Sequence, residues 1–159
     1  MTPSQSIVLL PLIAPICLWV AFSDLRRMKI PNLSIMALIG VYGVVGPFVF
    51  PFETWLWGWA HVAVMLAVGI AINAAGLMGA GDAKFIAAAA AFVPVADLLT
   101  VGYILSATIV VSLIAHRIAK HSPLRQLAPE WESWSSGNRF PMGLPLGTGL
   151  ILYLLQALV

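Results

Sequence analysis

Gly79-Ala80-Gly81-Asp82-Ala83-Lys84 lies between two apolar tracts, and a carboxylate stands in its middle. A lone Asp beside a membrane segment is costly; such a residue is usually kept because it pairs, titrates or binds something. The flanking glycines open backbone conformations closed to other residues and let another chain come close. The only other acid so placed is Asp24, in Phe22-Ser23-Asp24-Leu25-Arg26-Arg27. The expectation that follows is a chain built to bring two carboxylates together.

Composition sets the environment. The 159 residues are 61% hydrophobic and 9% charged, whereas a soluble domain carries about 25% charged residues. Mean hydropathy is +0.99. A soluble fold this small has no room to hide that much apolar surface, so the chain reads as an integral membrane protein. A net charge of +2 is too small to imply nucleic acid. Cys17 is the only cysteine and lies in an apolar run, so no intramolecular disulfide and no cysteine metal cluster is expected. His61, His116 and His121 show no ligand spacing and read as interfacial or loop residues; no metal or cofactor is expected. The N-terminus lacks a basic n-region and its apolar run outlasts a signal-peptide core, so it reads as a retained membrane helix.

A membrane helix needs about 20 apolar residues. Candidate runs cover about Ser6 to Phe22, Leu33 to Val49, Trp55 to Ala75, Ala83 to Val93, Leu98 to Ala115 and Gly143 to Val159. The fold class is therefore all-α: a polytopic bundle of about six transmembrane helices, a single membrane domain over residues 1–159 with no soluble domain left over. The fourth run is short. Either Pro94 kinks a longer helix, or one end of it lies inside the membrane region. Gly40, Gly43 and Gly46 suit close packing of the second run, and Trp55, Trp57 and Trp59 suit an interfacial belt. Between His116 and Arg139, Leu124, Leu127, Trp131 and Trp134 recur at helical spacing, as in a broken surface helix or a loop anchored by tryptophans.

With six spans, every Lys and Arg falls on one side, in the loops after the first, third and fifth runs. The opposite loops hold Glu53 and Asp97. The positive-inside rule makes the basic side cytoplasmic and puts both termini outside. Asp24 and Asp82 then share the cytoplasmic face. Two carboxyls within hydrogen-bonding range share one proton and offer a base and an acid at once. That suffices for amide hydrolysis by water: one group deprotonates the water while the other protonates the carbonyl oxygen. The blander readings are a helix N-cap for Asp82 and an ion pair with Arg26 or Arg27 for Asp24. A rival of another class is a small proton-coupled transporter using both acids as proton sites.

Gly79-Ala80-Gly81-Asp82 resembles the Gly-x-Gly-Asp signature of membrane aspartyl peptidases, and its continuation Ala83-Lys84 resembles the type IV prepilin peptidases. Asp24-Leu25-Arg26-Arg27-Met28-Lys29-Ile30-Pro31-Asn32 is similar to that family's first aspartate motif. Phe140-Pro141-Met142-Gly143 resembles its Pro-x-Gly patch, with Met142 where Tyr is common. The resemblance implies a catalytic pair, Asp24 and Asp82. It implies an aspartyl endopeptidase that removes prepilin leaders at the cytoplasmic face of the inner membrane, ahead of the hydrophobic pilin helix. Longer relatives carry a zinc-binding cytoplasmic insertion and N-methylate the product; nothing here matches it, so a peptidase without methylation is expected. The short length resembles the branch serving tight-adherence (Flp-type) pili. An inactive pilus assembly subunit with this fold is the other reading. Gly79, Gly81, Lys84, Arg26, Pro31, Asn32, Pro141 and Gly143 are the further motif and substrate-positioning candidates. Lys84 either steers substrate, lowers the pKa of the pair, or simply snorkels. Arg26, Arg27 and Lys29 fix topology or hold anionic lipid. Asn73 reads as an interhelical hydrogen bond or a wall of the site. The expected partners are a prepilin and membrane lipid; nothing in the sequence supports self-association.

Overall fold

A computed structural model describes residues 1–137 and 139–158. These residues form six α-helices and no strand: α1 (Pro3–Arg27), α2 (Asn32–Val49), α3 (Phe52–Ala74), α4 (Ala80–Ala90), α5 (Leu98–Lys120) and α6 (Gly143–Gln156). Short 3₁₀ turns cover Val95–Asp97, Pro123–Leu127 and Glu132–Trp134. Four helical stretches are long and apolar enough to cross a membrane: α1, α2, α3 and Val95–Lys120. The protein is a polytopic all-α membrane protein. Val159, the expected end of the last run, lies outside the described residues.

The centre of the bundle is the seam between α1 and α6. Ser6, Leu9, Ile13, Cys17, Val20 and Asp24 are buried on α1 at spacings of three and four, one continuous helix face. Asp24 is the last member of that stripe. On α6 the facing residues are small. A Cβ at Gly147 would stand 2.6 Å from the Cys17 carbonyl oxygen, and one at Gly143 would stand 2.8 Å from Asp24 Cβ. Gly143 and Gly147 are one turn apart, the small-xxx-small spacing that lets membrane helices approach backbone to backbone. Dispersion contacts drive such packing where lipid removes any hydrophobic gain. Pro11 and Pro15 inside α1 each delete a backbone donor, which neighbouring helices make tolerable in membrane spans.

α3 packs on α4 through another close approach: a Cβ at Gly69 would lie 2.9 Å from Ala83 Cβ. The Ala-rich profile of α4 serves this contact, as the sequence predicts. α4 is shorter than the predicted run. It ends at Ala90, before Pro94, and the chain reaches α5 through the Val95–Asp97 turn. At ~1.5 Å per residue its eleven residues rise only ~16 Å against a core of ~30 Å. The kinked-helix alternative is thereby excluded: α4 is a half-helix.

Several other expectations are corrected. Of the three glycines on α2, only Gly46 makes a tight approach, to the Trp55 ring; Gly40 faces open space. Trp55 and Trp59 do not form a simple interfacial belt. They pack edge-on to each other, and the Trp59 ring also meets Tyr42 edge-on. The Tyr42 hydroxyl donates to the Trp55 carbonyl at 2.8 Å. Only Trp57 of the three is exposed. Asn73 makes no interhelical bond: its Nδ2 donates to the Met78 carbonyl at 2.7 Å, closing the break after α3. His116 is not a loop residue, because α5 runs on to Lys120. It is buried and stacked on Trp134, ring centroids 5.1 Å apart. Leu124 to Trp134 is two short 3₁₀ turns rather than a surface helix, and Trp134 is buried.

Candidate active site

Three stretches far apart in sequence meet at one end of the bundle. The first is the end of α1 and the turn after it. Met28 takes a left-handed conformation (φ 51°) and its N–H donates to the Asp24 carbonyl at 2.9 Å, ending the helix. Ser23 Oγ donates to the Lys29 carbonyl at 2.9 Å, folding the turn back on α1. Pro31 then sits at the N-cap of α2, where its missing donor costs nothing. The second stretch is the start of α4. A Cβ at Gly81 would stand 3.2 Å from Ile30 Cβ, so glycine lets the turn lie directly on the α4 terminus. Lys84 Nζ donates to Asn32 Oδ1 at 3.3 Å, a second tie between the two stretches. The third is the entry to α6, where the Gly143 N–H donates to Asp24 Oδ2 at 2.6 Å. Pro141 beside it is buried.

Asp24 is 5% exposed. Its bond to Gly143 is charge-assisted and fixes the carboxylate in one orientation. The ion pair with Arg26 or Arg27 does not form. Both arginines are exposed in the last turn of α1. The one ion pair among the described residues joins the Met1 amino group to Asp97 at the far end of the bundle. Arg26 therefore lies outside the cluster that the other candidates form.

Asp82 is not the N-cap of α4; Gly79 is, and no side chain caps the helix. Asp82 occupies the first turn of α4, a helix too short to span. Burial first, then the neighbouring Asp24 charge, pushes its pKa up to about 6, while the Gly79 backbone N–H pulls it down. The two carboxyls are thus close enough to feel each other's charge, and no Lys or Arg among the described residues neutralises either. A carboxyl raised by burial and a like charge, with no cation paired to it, is a functional-site candidate.

Lys84 is exposed and spends its donor on Asn32. The groups acting on Asp82 are burial, Asp24 and Gly79, with no part for Lys84. Lys84→Met is therefore expected to leave the pH dependence of the pair in place and to change kcat/KM by less than about fivefold, an exposed hydrogen bond contributing little. A steady-state pH profile of the variant checks this.

Two features had no signal in the sequence. The Ile30 contact on Gly81 depends on how the turn after α1 folds back. The aromatic box around His116 joins α5 to Trp134 and Phe140, just before the Pro141–Gly143 entry to α6.

The sequence model of the type IV leader peptidase family matches residues 12–116, about two thirds of the chain. No curated protein matches the chain, and no solved structure does. The matched span holds both the Asp24–Asn32 and Gly79–Lys84 stretches, while Gly143 lies beyond it. The chain belongs to the type IV leader peptidase family.

Proposed function

We propose that this protein is an aspartic-type endopeptidase that removes the leader of a Flp-type prepilin at the cytoplasmic face of the inner membrane, without methylating the product. What supports this reading is that the Asp24 charge reaches Asp82 at one end of the bundle, with no Lys or Arg among the described residues paired to either. In the singly protonated pair, the carboxylate takes a proton from water as it attacks the scissile carbonyl, and the carboxylic acid protonates the carbonyl oxygen. The tetrahedral intermediate then collapses, a proton passes to the leaving amine, and the pair returns to its starting state. The two groups titrate as a unit, so acid and base are properties of the pair. The Gly143 N–H holds one oxygen of Asp24, leaving the other free for water. Gly81 lets the turn after α1 lie directly on the start of α4.

The charge distribution supports the orientation: the basic residues cluster at the Asp24 and Asp82 end, in Arg26, Arg27, Lys29, Lys84 and the segment from Arg117 to Arg139. The test is cleavage of a co-expressed Flp-type prepilin, with N-terminal sequencing of the product. A shortened pilin with a free amino terminus is the expected result. An intact prepilin beside well-inserted protein removes the proposal and favours the assembly-subunit reading.

The pair also sets a pH dependence. The active form keeps one proton, and the pair is expected to lose it near the raised value of about 6 that burial and the Asp24 charge give at Asp82. In the free enzyme, kcat/KM is expected to fall about tenfold per pH unit above that limb. A limb whose midpoint does not move in Asp82→Glu, where the carboxyl stands one methylene farther out, and that moves only with unrelated residues contradicts the assignment.

A further inference from the structure

A groove of about 840 Å³, almost wholly apolar, lies between α3 and α5. It exists because these two helices do not pack on each other. α3 packs on α4 and α5 packs on α6, so the faces of α4 and α6 are left in a window between them. The floor on α4 is Phe85, Ile86, Ala89 and Ala90. These residues follow Asp82 at three, four, seven and eight positions, one helix face. The Asp82 carboxyl thus stands at the head of the same α4 face that floors the groove.

Small residues give the groove its width. Gly102 on α5 and Gly149 on α6 line it, and a Cβ added at Gly102 meets no atom within 4 Å. A helix is about 10 Å across with its side chains, and small residues along a wall let it seat closely. On the other side of the bundle α1 and α6 pack directly against each other. For a polypeptide whose peptide bond lies at the two acids, the α4 face and this window offer an apolar route into the membrane core.

We propose that the groove between α3 and α5 receives the apolar helix that follows the scissile bond of the substrate, admitting it sideways from the lipid. The proposal rests on the peptidase reading above for the identity of that helix. A lipid acyl chain is the competing occupant. It needs no continuity with Asp82, whereas a substrate helix does.

The test is disulfide cross-linking in membranes, which reads seating without cleavage. Enzyme carrying Gly102→Cys in a Cys17→Ala background is paired with a Flp-type prepilin bearing a single cysteine walked along its apolar helix. Val44→Cys, on the lipid-exposed side of α2, is the control. Cross-links from Gly102→Cys recurring about every 3.6 substrate residues, and absent from Val44→Cys, support the proposal. Gly102→Trp, which the open space tolerates, is expected to slow prepilin cleavage at least about tenfold, mainly through KM. Cross-links favouring Val44→Cys, or wild-type cleavage by Gly102→Trp, overturn the groove and leave a lipid-filled crevice. Neither outcome touches the peptidase reading, which wild-type cleavage decides by itself. Conversely, a prepilin left uncut by the wild type but cross-linked at Gly102→Cys overturns the catalysis and keeps the groove.

Discussion

Asp24→Asn and Asp82→Asn are each expected to stop leader removal, with losses on the order of 10³-fold in kcat for either one. The carbonyl of an amide side chain accepts a hydrogen bond as a carboxylate does, so Asn at residue 24 keeps the Gly143 contact. What it lacks is the exchangeable proton. A pair that acts as a unit fails as a unit, so the double variant is expected to be no worse than either single one. Initial rates of prepilin cleavage in proteoliposomes give all three numbers. Two independent losses that multiply would show that the acids work separately.

The stability of Asp82→Asn distinguishes lost chemistry from lost fold. The folded protein raises the Asp82 pKa from 3.8 to about 6. The folded state therefore binds the proton more tightly than the unfolded state does. Whatever stability that confers is full below the ordinary carboxylate pKa and disappears as pH rises through the folded value. At neutral pH and above, an ionised Asp82 weighs against folding. Asn removes that charge, so the variant is expected to melt no lower than wild type at about pH 8 and to lose that advantage at about pH 4. An inactive protein that is also less stable at the higher pH points to a structural role instead. Stability given up at a site that needs an unfavourable charge is a common exchange for activity.

The two isolated acids, the shortness of the fourth run and the bundle were legible because each has a local cause. Asp82 interrupts apolar sequence between glycines, and hydropathy alone puts it at the same end as Asp24. The Ala-rich composition of α4 announces a helix packed on its neighbours. The contacts that orient the acids were hidden because they join distant residues. Nothing near Asp24 says that the Gly143 N–H will hold it. The resemblance singled out Gly143, but only the α1–α6 seam gives the physical reason. His116 misled for a related cause. A histidine after an apolar run looks like the start of a loop, and its burial depends on Trp134 folding back over it. Asn73 shares a face with Gly69, which suggested a partner on another helix; its amide instead reaches Met78 in its own turn. Periodicity shows which face a residue occupies, and long-range closure decides what it meets there.

Gly143→Ala is expected to lower kcat/KM by about 10- to 100-fold, a range typical of misplacing a reacting group by about 1 Å. The added Cβ would stand 2.8 Å from Asp24 Cβ and 3.0 Å from its Oδ2. Something must give. Either Asp24 turns away from the Gly143 N–H, or α6 withdraws from α1 at the site. Both separate Asp24 from the position that meets Asp82. The control is Gly147→Ala, one turn along the same seam, where the added Cβ would stand 2.6 Å from the Cys17 carbonyl oxygen. That clash is with backbone, deeper in the bundle, and no side chain can swing aside to relieve it. Gly147→Ala is therefore expected to cost more stability, while the molecules that remain folded keep the wild-type pH limb. Gly143→Ala is expected to shift that limb, because a displaced Asp24 no longer presses its charge on Asp82 to the same extent. Thermal melts and pH profiles of the two variants separate the effects. If both lose activity in proportion to lost stability and neither moves the limb, Gly143 serves only to let α1 and α6 approach, and its hydrogen bond to Asp24 has no part in the chemistry.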